Sequence, residues 1–392
     1  MSELIRRGPT PGGTPDVETH SSGPHPGSRY RAAALRAAAR ASAPGYSRRV
    51  NHPSRPAALL AVALAAVGCA SGRSAAHLSA AALVAEPIAP GRHWLSTRGR
   101  SHPLAGRIWD VKRQVFAEEG ILASAVARSD FVFLGEVHDN ADHHVIQARL
   151  VRAVAAAGKR PPLAMEMLDT DVQAAVDQAL RADARDADAL AAAVGWDGSG
   201  WPEFPYYRPV VTAALEAGMP VLAANLSRAL AKVAVRQGKG ALPEALRVRL
   251  ERDEPLPEEV VKALREEMRI SHCNVLPEPL LDPMALAQRA RDAQMAERLS
   301  RSGKAGALLV TGNGHARLDR GVPAVLARDV PGRRLVSVGL LEVESGRPVP
   351  RDYVADWGSS GVLPFDYVVF TPAAERPDPC AKLRAAHAPR KK

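Results

Sequence analysis

Cysteine, aromatic side chains and long apolar runs are all scarce in this sequence of 392 residues. Its three cysteines show no CxxC or Cys/His spacing, which excludes a zinc-finger or zinc-ribbon protein. The apolar run at 57–68 (AALLAVALAAVG) is too short for a helix that crosses a bilayer. The remaining composition, 46% hydrophobic and 24% charged, is that of a globular protein with a sizeable core.

A strongly basic surface is missing as well, although the formal net charge is +10. Residues 1–68 contain nine arginines against three acidic residues, and a basic cluster at 390–392 ends the chain. The body between these segments is therefore nearly neutral. Because nucleic-acid binding needs clustered positive charge, we expect no nucleic-acid partner.

The first 69 residues resemble an export signal. Residues 1–45 lack the large apolar side chains that offset chain entropy. A basic stretch then precedes the run 57–68, which has the length of a signal-peptide core, and AVGC at 66–69 resembles the lipobox of bacterial lipoproteins. We predict an exported envelope lipoprotein, in the outer membrane, whose only membrane contact is a lipid on Cys69. The other interpretation is a buried Ala-rich helix with an incidental cysteine. Cys273 and Cys380 are either paired or free.

Composition divides the rest of the chain. Residues 70–107, rich in Ser, Ala, Gly and Pro, predict a tether. Strands that alternate with helices over 108–226 and 301–372 predict an α/β domain with a mostly parallel sheet flanked by helices. Residues 227–300 predict an inserted helical subdomain, and 373–392 a tail.

Six strands and several helices are predicted from apolar periodicity. The strands are Phe131–Leu134, Pro162–Met167, Pro220–Asn225, Gly306–Thr311, Leu335–Val343 and Tyr367–Phe370. The helices include Asp142–Ala157, Asp169–Arg181, Pro209–Ala217, Pro243–Arg252, Pro257–Ile270, Asp282–Leu299 and Val322–Arg328.

Polar side chains follow four of the predicted strands. The sequence after the first strand is GEVHDNADHH; Glu166 and Asn225 lie at the ends of the next two, and GNGH follows the fourth. Ligands of open parallel sheets bind beyond the carboxyl ends of the strands, so these groups are expected to meet at one edge. The candidate residues are Glu136, His138, His143, His144, Glu166 and His315.

Three interpretations of these residues stay open. Imidazoles and carboxylates are ligands for a divalent metal. They also form acid–base pairs, with Glu136 or Glu166 ionised and a histidine near its pKa at neutral pH. Alternatively, the side chains satisfy one another and cap the helices that follow.

Two further features bear on ligand binding. Five of the aromatic residues fall in Trp196–Pro209 (WDGSGWPEFPYYRP), which would suit a flat apolar ligand or simply pack a loop onto the sheet. A tyrosine oxygen can also ligate haem iron. On the predicted helix at 282–299, Arg289 and Asp292 share a face and either pair with each other or leave Arg289 to bind an anionic group.

These motifs together resemble the ChaN family of haem-binding bacterial lipoproteins, within the Tiki, TraB and erythromycin-esterase-like superfamily. The resemblance covers about 108–345 and rests on LGEVHDNADHHVIQ, LAMEM, WPEFPYYRPVVTAALEAGMPVLAANL, DPMALAQRARDAQMAERL and VTGNGHARLDRGVPAVL.

The resemblance implies a role in haem or iron acquisition, with haem as the cofactor, a homodimer around cofacial haems and a haem-uptake receptor as a further partner. The iron-ligating tyrosine carries over to Tyr207, with Tyr206 second. The other cofactor-binding positions that it implies are His143, His144, Arg289 and Asp292.

Distant members of the superfamily are hydrolases that use a comparable set of residues. If this chain is an enzyme, the resemblance places catalysis on Glu136, His138, Glu166 and His315. Haem binding is the first hypothesis, and a hydrolase, metal-dependent or not, is the alternative.

Overall fold

In this computed structural model, residues 93–252, 254–358, 361–378, 380–381 and 384 are described. The predicted leader with Cys69 lies outside the described residues, as do the tether up to residue 92 and most of the predicted tail. Among the described residues, no helix combines the length and the apolar character needed to cross a bilayer.

The described chain alternates strands and helices. The strands are β1 (Ile108–Asp110), β2 (Val115–Ala117), β3 (Phe131–Glu136), β4 (Leu163–Asp169), β5 (Val221–Asn225), β6 (Ala307–Gly312), β7 (Leu335–Glu342) and β8 (Tyr367–Thr371). The helices are α1 (Glu119–Arg128), α2 (Ala141–Ala156), α3 (Gln173–Ala182), α4 (Ala187–Ala193), α5 (Phe204–Glu216), α6 (Arg228–Gln237), α7 (Glu244–Glu251), α8 (Glu258–Ser271), α9 (Leu281–Ser300), α10 (Asn313–Ala316) and α11 (Val322–Asp329).

All eight described strands form one sheet in the order β2-β1-β8-β7-β3-β6-β4-β5. The strands from β8 to β5 are parallel, with Phe131 opposite Ala307 and Leu335, whereas β1 pairs antiparallel with both of its neighbours. This confirms the predicted α/β fold with a mostly parallel sheet. The carboxyl ends of β3, β6 and β4 therefore lie side by side, and we call this edge the rim.

Helices cover both faces of the sheet, which is why its central strands are apolar throughout. Val132 and Leu134 of β3 pack in one core with α1, α2 and α5, on what we call the α2 face. Phe131 and Phe133 pack in a second core with α9 and α11, on the α9 face. Because side chains alternate along a strand, a residue's position in the sequence decides which face it joins.

Helices α6 to α8 pack against α9 rather than against the sheet. Leu246 and Leu250 of α7 contact Ala290 of α9 in one small core. Leu264 of α8 packs with Leu281 at the start of α9 in another. The second half of α9, including Met295, belongs to the core of the α9 face. Helix α9 thus connects the other three helices to the sheet.

The packed body begins before residue 108, so the predicted tether is wrong in its last part. Trp94 and Ser96 are buried, and the backbone N–H groups of Leu95 and Ser96 donate to the Asp142 carboxylate at 2.8 and 2.7 Å. A buried carboxylate at the start of α2 therefore holds a polar, small-residue segment in place.

The chain beyond β8 also contacts the body. The Arg376 guanidinium donates to the carboxylates of Asp139 and Glu342 at 2.7 Å. Cys380 forms a disulfide with Cys273, which follows α8, with the two Cα atoms 5.5 Å apart. The segment after β8 is thus joined both to the rim and to the inserted helices.

Candidate functional site

A buried carboxylate, Glu136, ends β3 on the α2 face and collects four polar partners. Its Oε1 accepts hydrogen bonds from the Tyr207 hydroxyl at 2.9 Å and from His138 Nδ1 at 2.8 Å. Its Oε2 accepts from Gln147 Nε2 at 2.7 Å and lies 3.4 Å from His144 Nδ1. We call these five residues the Glu136 group.

Charge is concentrated in the Glu136 group. Burial alone would raise the pKa of the Glu136 carboxyl, but the positive His144 and the hydrogen bond from His138 outweigh it and hold that pKa well below its usual range. Burial likewise opposes protonation of His138 and His144, yet Glu136 raises the pKa of both, and Glu166 contributes to that of His138. The group therefore favours an ionised carboxylate and, through it, the protonated forms of both imidazoles.

A second buried carboxylate, Glu166 of β4, points to the α9 face. Its Oε2 accepts from the Thr311 hydroxyl at 2.7 Å and from the Gly312 backbone N–H at 2.8 Å. Its Oε1 lies 3.4 Å from His315 Nε2, and His315 Nδ1 donates to Asp292 Oδ1 at 2.7 Å. These residues form the Glu166 group.

The histidine of the Glu166 group is held between two acids. Burial works against its charge, but Glu166 and Asp292 raise the pKa of His315 to about 9. Burial raises the pKa of Asp292 to about 6, although the charge of His315 counteracts part of that shift. Below pH 9 the imidazole of His315 is therefore a buried cation.

The two groups meet at the end of β6, where Gly312 separates them. A Cβ at Gly312 would lie 3.0 Å from His138 Nε2 and 3.7 Å from Glu166 Oε2, so glycine leaves room for both side chains. The predicted meeting of strand-end residues is thus found, but Glu136 and Glu166 lie on opposite faces. His138, with one third of its side chain exposed, is the most accessible of these ionisable groups.

His143 and His144 are fully buried, which argues against the prediction that they bind a cofactor directly. His143 Nδ1 accepts from the Val137 N–H at 2.9 Å, and its Nε2 donates to Thr371 Oγ1 at 2.8 Å. Burial lowers the pKa of His143 to about 3, so it stays neutral. His144 Nε2 donates to the His138 carbonyl at 3.0 Å and fixes the loop after β3.

The aromatic cluster divides into a buried and an outward part. Trp196, Phe204 and Tyr207 are buried, and the ring of Trp196 contacts those of Phe204 and Tyr207 with centroids 5.2 and 5.0 Å apart. Trp201 is half-buried and meets the ring of His138 edge-on at 4.8 Å, and Tyr206 is exposed. The ring of Tyr206 lies 6.4 Å from that of His144, which bonds to the His138 carbonyl. We call the three accessible rings, Trp201, Tyr206 and His138, the aromatic shelf. The buried rings fit the interpretation of a loop packed onto the sheet, and the outward rings are the ones that a flat apolar ligand could reach.

Tyr207 and Tyr206 have opposite environments although they are adjacent. Helix α5 starts at Phe204, not at Pro209 as predicted, and Pro205 fits its first turn. Tyr207 then lies in the buried stripe with Val211, and its ring is fully buried. Burial and the charge of Glu136 both raise the pKa of Tyr207 far above its usual range, so its hydroxyl stays protonated.

Arg289 and Asp292 do not pair, so that interpretation is wrong. Arg289 donates to Glu254 Oε1 at 3.2 Å and to the Leu250 carbonyl at 3.0 Å, whereas Asp292 is bound to His315. Both are on α9, across the sheet from Tyr206. The cofactor-binding residues predicted from the sequence therefore lie on both faces of the sheet, the tyrosines on the α2 face and Arg289 and Asp292 on the α9 face.

Sequence reasoning missed three residues of these groups. Gln147 and Thr311 bind the two carboxylates, and the amide of Gln288 on α9 lies 3.0 Å from His315 Nε2. A signal was present for Gln147, which follows His143 and His144 by about one helical turn. Within the described part of the chain, no cluster of three or more His, Cys, Asp or Glu side chains could hold a metal ion. The predicted divalent metal is thus unsupported.

The sequence places this α/β protein in a known class. Residues 122–326 match the model of a family described as haem-binding uptake proteins of the Tiki superfamily, ChaN. The match spans more than half of the chain, and the protein belongs to the ChaN family, which confirms the resemblance seen in its motifs. A comparison with curated protein sequences gives no match.

Solved structures share the fold. The chain is similar to ChaN of Campylobacter jejuni, described with cofacial haem, at 24% identity and a TM-score of 0.52, over 67% of this chain and 95% of that one. An erythromycin esterase, EreC, has 12% identity and a TM-score of 0.40, over 73% and 99% of the two chains. The latter likeness is too remote to bear on chemistry.

Proposed function

We propose that this protein binds haem on the aromatic shelf, with Tyr206 as the iron ligand. The observation that carries the proposal is the contrast between the exposed Tyr206 and its fully buried neighbour. An axial tyrosine needs an accessible oxygen that gives up its proton to the iron. Tyr207 meets neither requirement, because its hydroxyl donates to Glu136 inside the protein.

The rest of the shelf fits a haem by its chemistry. Trp201 and Tyr206 offer aromatic surface to a flat apolar ring. Glu136 and Glu166 raise the pKa of the partly exposed His138, which favours an Nε2–H donor suited to a propionate carboxylate. When bound, the haem supplies iron that takes the tyrosine oxygen as ligand.

A homodimer and export are parts of the same proposal. This chain is similar to a protein described with cofacial haem, and that similarity supports a dimer in which the aromatic shelves of two chains face each other. The lipobox-like AVGC at 66–69 supports lipidation at Cys69 and an outer-membrane role in iron uptake, with a haem-uptake receptor as partner. The Cys273–Cys380 disulfide is consistent with an oxidising compartment.

The test of haem binding is a titration of the purified protein with ferric haem, followed by absorbance and by sedimentation. We expect a saturable Soret change and a shift from monomer to dimer. His138→Gln should weaken affinity several-fold with the band position unchanged. Non-saturable adhesion of haem, equal in wild type and Tyr206→Phe, would contradict the proposal.

Export is tested separately, in cells. Cys69→Ala should move the protein from the membrane fraction to the soluble fraction, while the double variant Cys273→Ala/Cys380→Ala, which keeps Cys69 and leaves no stray thiol, should stay in the membrane fraction. Membrane association that survives Cys69→Ala would exclude the lipid anchor.

A hydrolase is the second candidate, favoured by the Glu166 group. Haem binding on the shelf does not require a buried imidazolium between two acids, and pairs of groups with displaced pKa values are typical of acid–base catalysis. The catalytic residues would be Glu136, His138, Glu166 and His315. A screen of ester and peptide substrates with wild type and Glu166→Gln decides: turnover lost in the variant supports this candidate, and no turnover removes it.

A further inference from the structure

A cavity of about 490 Å³ lies between helices α7 and α8 on one side and α11 on the other, next to α9. It is bounded by α7, α8, α9 and α11 and by the segment at 254–257. Asp292 is the one member of the two rim groups in its lining. Its volume lies within the usual range for small-molecule sites. The cavity is therefore separate from the aromatic shelf.

The lining of this cavity carries more positive than negative charge. It contains five arginines, at 249, 252, 289, 320 and 328, against the carboxylates of Glu254, Asp292 and Asp319. Outside the lining, Asp329 accepts from both Arg249 and Arg252, at 2.8 and 2.7 Å. Within it, Glu254 pairs with Arg289. Each guanidinium also has five N–H donors, more than these contacts use.

The same lining also has an apolar part. Leu256, Val260 and Leu264 contribute to it from the segment before α8 and from α8 itself, and Val325 contributes from α11. A ligand that matches both parts of the lining has an anionic head and an apolar body. A neutral ligand would not balance the excess positive charge, and a small inorganic anion would not cover the apolar side chains.

We propose that this cavity is a binding site for a small amphipathic anion. Its carboxylate, sulfonate or phosphate head lies against Arg249, Arg252 and Arg289. Its apolar body packs against Val260 and Val325. The ligand would sit beside the far side of Asp292, which holds His315 of the rim.

The test uses 8-anilinonaphthalene-1-sulfonate, which has a sulfonate head and an apolar body, in a fluorescence titration of the folded full chain. Arg252→Gln should weaken binding about tenfold, since a charge-assisted contact is lost. Asp329 keeps Arg249 as partner in this variant, so the fold is retained. Ala324→Leu, which adds volume to the cavity wall, should reduce binding at least as much.

Two matched variants make the outcome decisive. Arg236→Gln removes an exposed arginine of α6 outside the cavity and should leave the affinity unchanged. Trp201→Ala alters the aromatic shelf and should also leave it unchanged. The proposal is overturned if the probe does not saturate, if Arg236→Gln weakens binding as much as Arg252→Gln, or if Trp201→Ala abolishes it. Thermal unfolding of each variant confirms that it is folded.

Discussion

The Glu136 and Glu166 groups use the same residue types but differ in what surrounds them. Around Glu136 the partners are two histidines, a tyrosine and a glutamine, and one histidine reaches solvent beside aromatic side chains. Around Glu166 the imidazole in contact is that of His315, buried between two acids beside a cavity lined by arginines, and the charge of His138 acts from the other side of Gly312. The two groups therefore differ in accessibility rather than in residue type. The Glu136 group borders a surface that can bind a large flat ligand, whereas the Glu166 group is an ion-pair network in the interior.

The largest effect is expected from neutralising each carboxylate without changing its size. Glu136→Gln removes the charge that raises the pKa of both His138 and His144 and breaks a buried ion-pair network, so we expect a loss of about 3–5 kcal/mol in the free energy of unfolding. Glu166→Gln should cost less, because Asp292 still faces His315 and Glu136 still accepts from His138 in this variant. Denaturant unfolding measures both, with the exposed Glu259→Ala as control, expected within about 0.5 kcal/mol of wild type. If Glu166→Gln lowers the free energy of unfolding more than Glu136→Gln does, the Glu166 group is the more strongly charged of the two and the account is contradicted.

The pH dependence of stability should differ in sign between two buried histidines. Because the folded-state pKa of His315 is raised to about 9, its contribution is complete below about pH 6.5 and is lost as the pH rises through 9. The slope is about 1.4 kcal/mol per pH unit for one proton. For His143, whose pKa is lowered to about 3, stability is lost as the pH falls from about 6.5 to 3.

Urea unfolding between pH 3 and 10 measures these slopes. His315→Gln should flatten the alkaline limb alone, and His143→Gln the acid limb alone. If both variants flatten the same limb, the assigned protonation states are wrong.

A smaller effect should isolate the Glu166 group. Asp292→Asn removes the charge that faces His315 Nδ1, so we expect the pKa of His315 to fall below 9 and stability to drop by about 1–3 kcal/mol. The pKa of His138, in the other group, should change little. Histidine ring signals followed by NMR against pH give both values. Equal shifts in the two histidines would show that the groups are one network.

The smallest effect comes from the adjacent tyrosines. Tyr207→Phe removes one hydrogen bond to Glu136 and should cost about 1 kcal/mol. Tyr206→Phe removes an exposed hydroxyl and should change stability by less than about 0.5 kcal/mol. Thermal and denaturant unfolding compare the two, and an equal cost would mean that both hydroxyls are buried in solution.

Much of the sheet was predictable because its central strands are short apolar runs ended by Gly, Glu or Asn. The strands β1 and β2 are not predicted, since each has only three residues and is too short to show a strand periodicity. The meeting of polar residues at the rim followed from parallel topology. Which face each residue joins depends on the alternation of side chains along its strand. Glu136 lies two residues after Leu134 and points to the same face as it, whereas Glu166 lies two residues after Ala164 and points to the other face.

A helix that begins at Pro209 leaves both tyrosines in a loop, so the sequence does not predict which of the two is buried. A start at Phe204 places Tyr207 in the buried stripe of the helix and turns Tyr206 outward. The motif FPYYRP has two prolines, and a proline usually marks a helix boundary, so Pro209 suggests a later start. Pro205 is nevertheless acceptable in the first turn of a helix. The partners of Arg289 were equally hidden, because Glu254 comes from a loop whose position depends on helix packing.

The central claim is that haem binds through Tyr206 and not through Tyr207. The most direct measurement is the absorption spectrum of the ferric haem complex in Tyr206→Phe and Tyr207→Phe, recorded at equal protein and haem concentrations. We predict that Tyr206→Phe loses the tyrosinate-to-iron charge-transfer band and most of the affinity, while Tyr207→Phe keeps both. Retention of the band in Tyr206→Phe together with its loss in Tyr207→Phe would contradict the account.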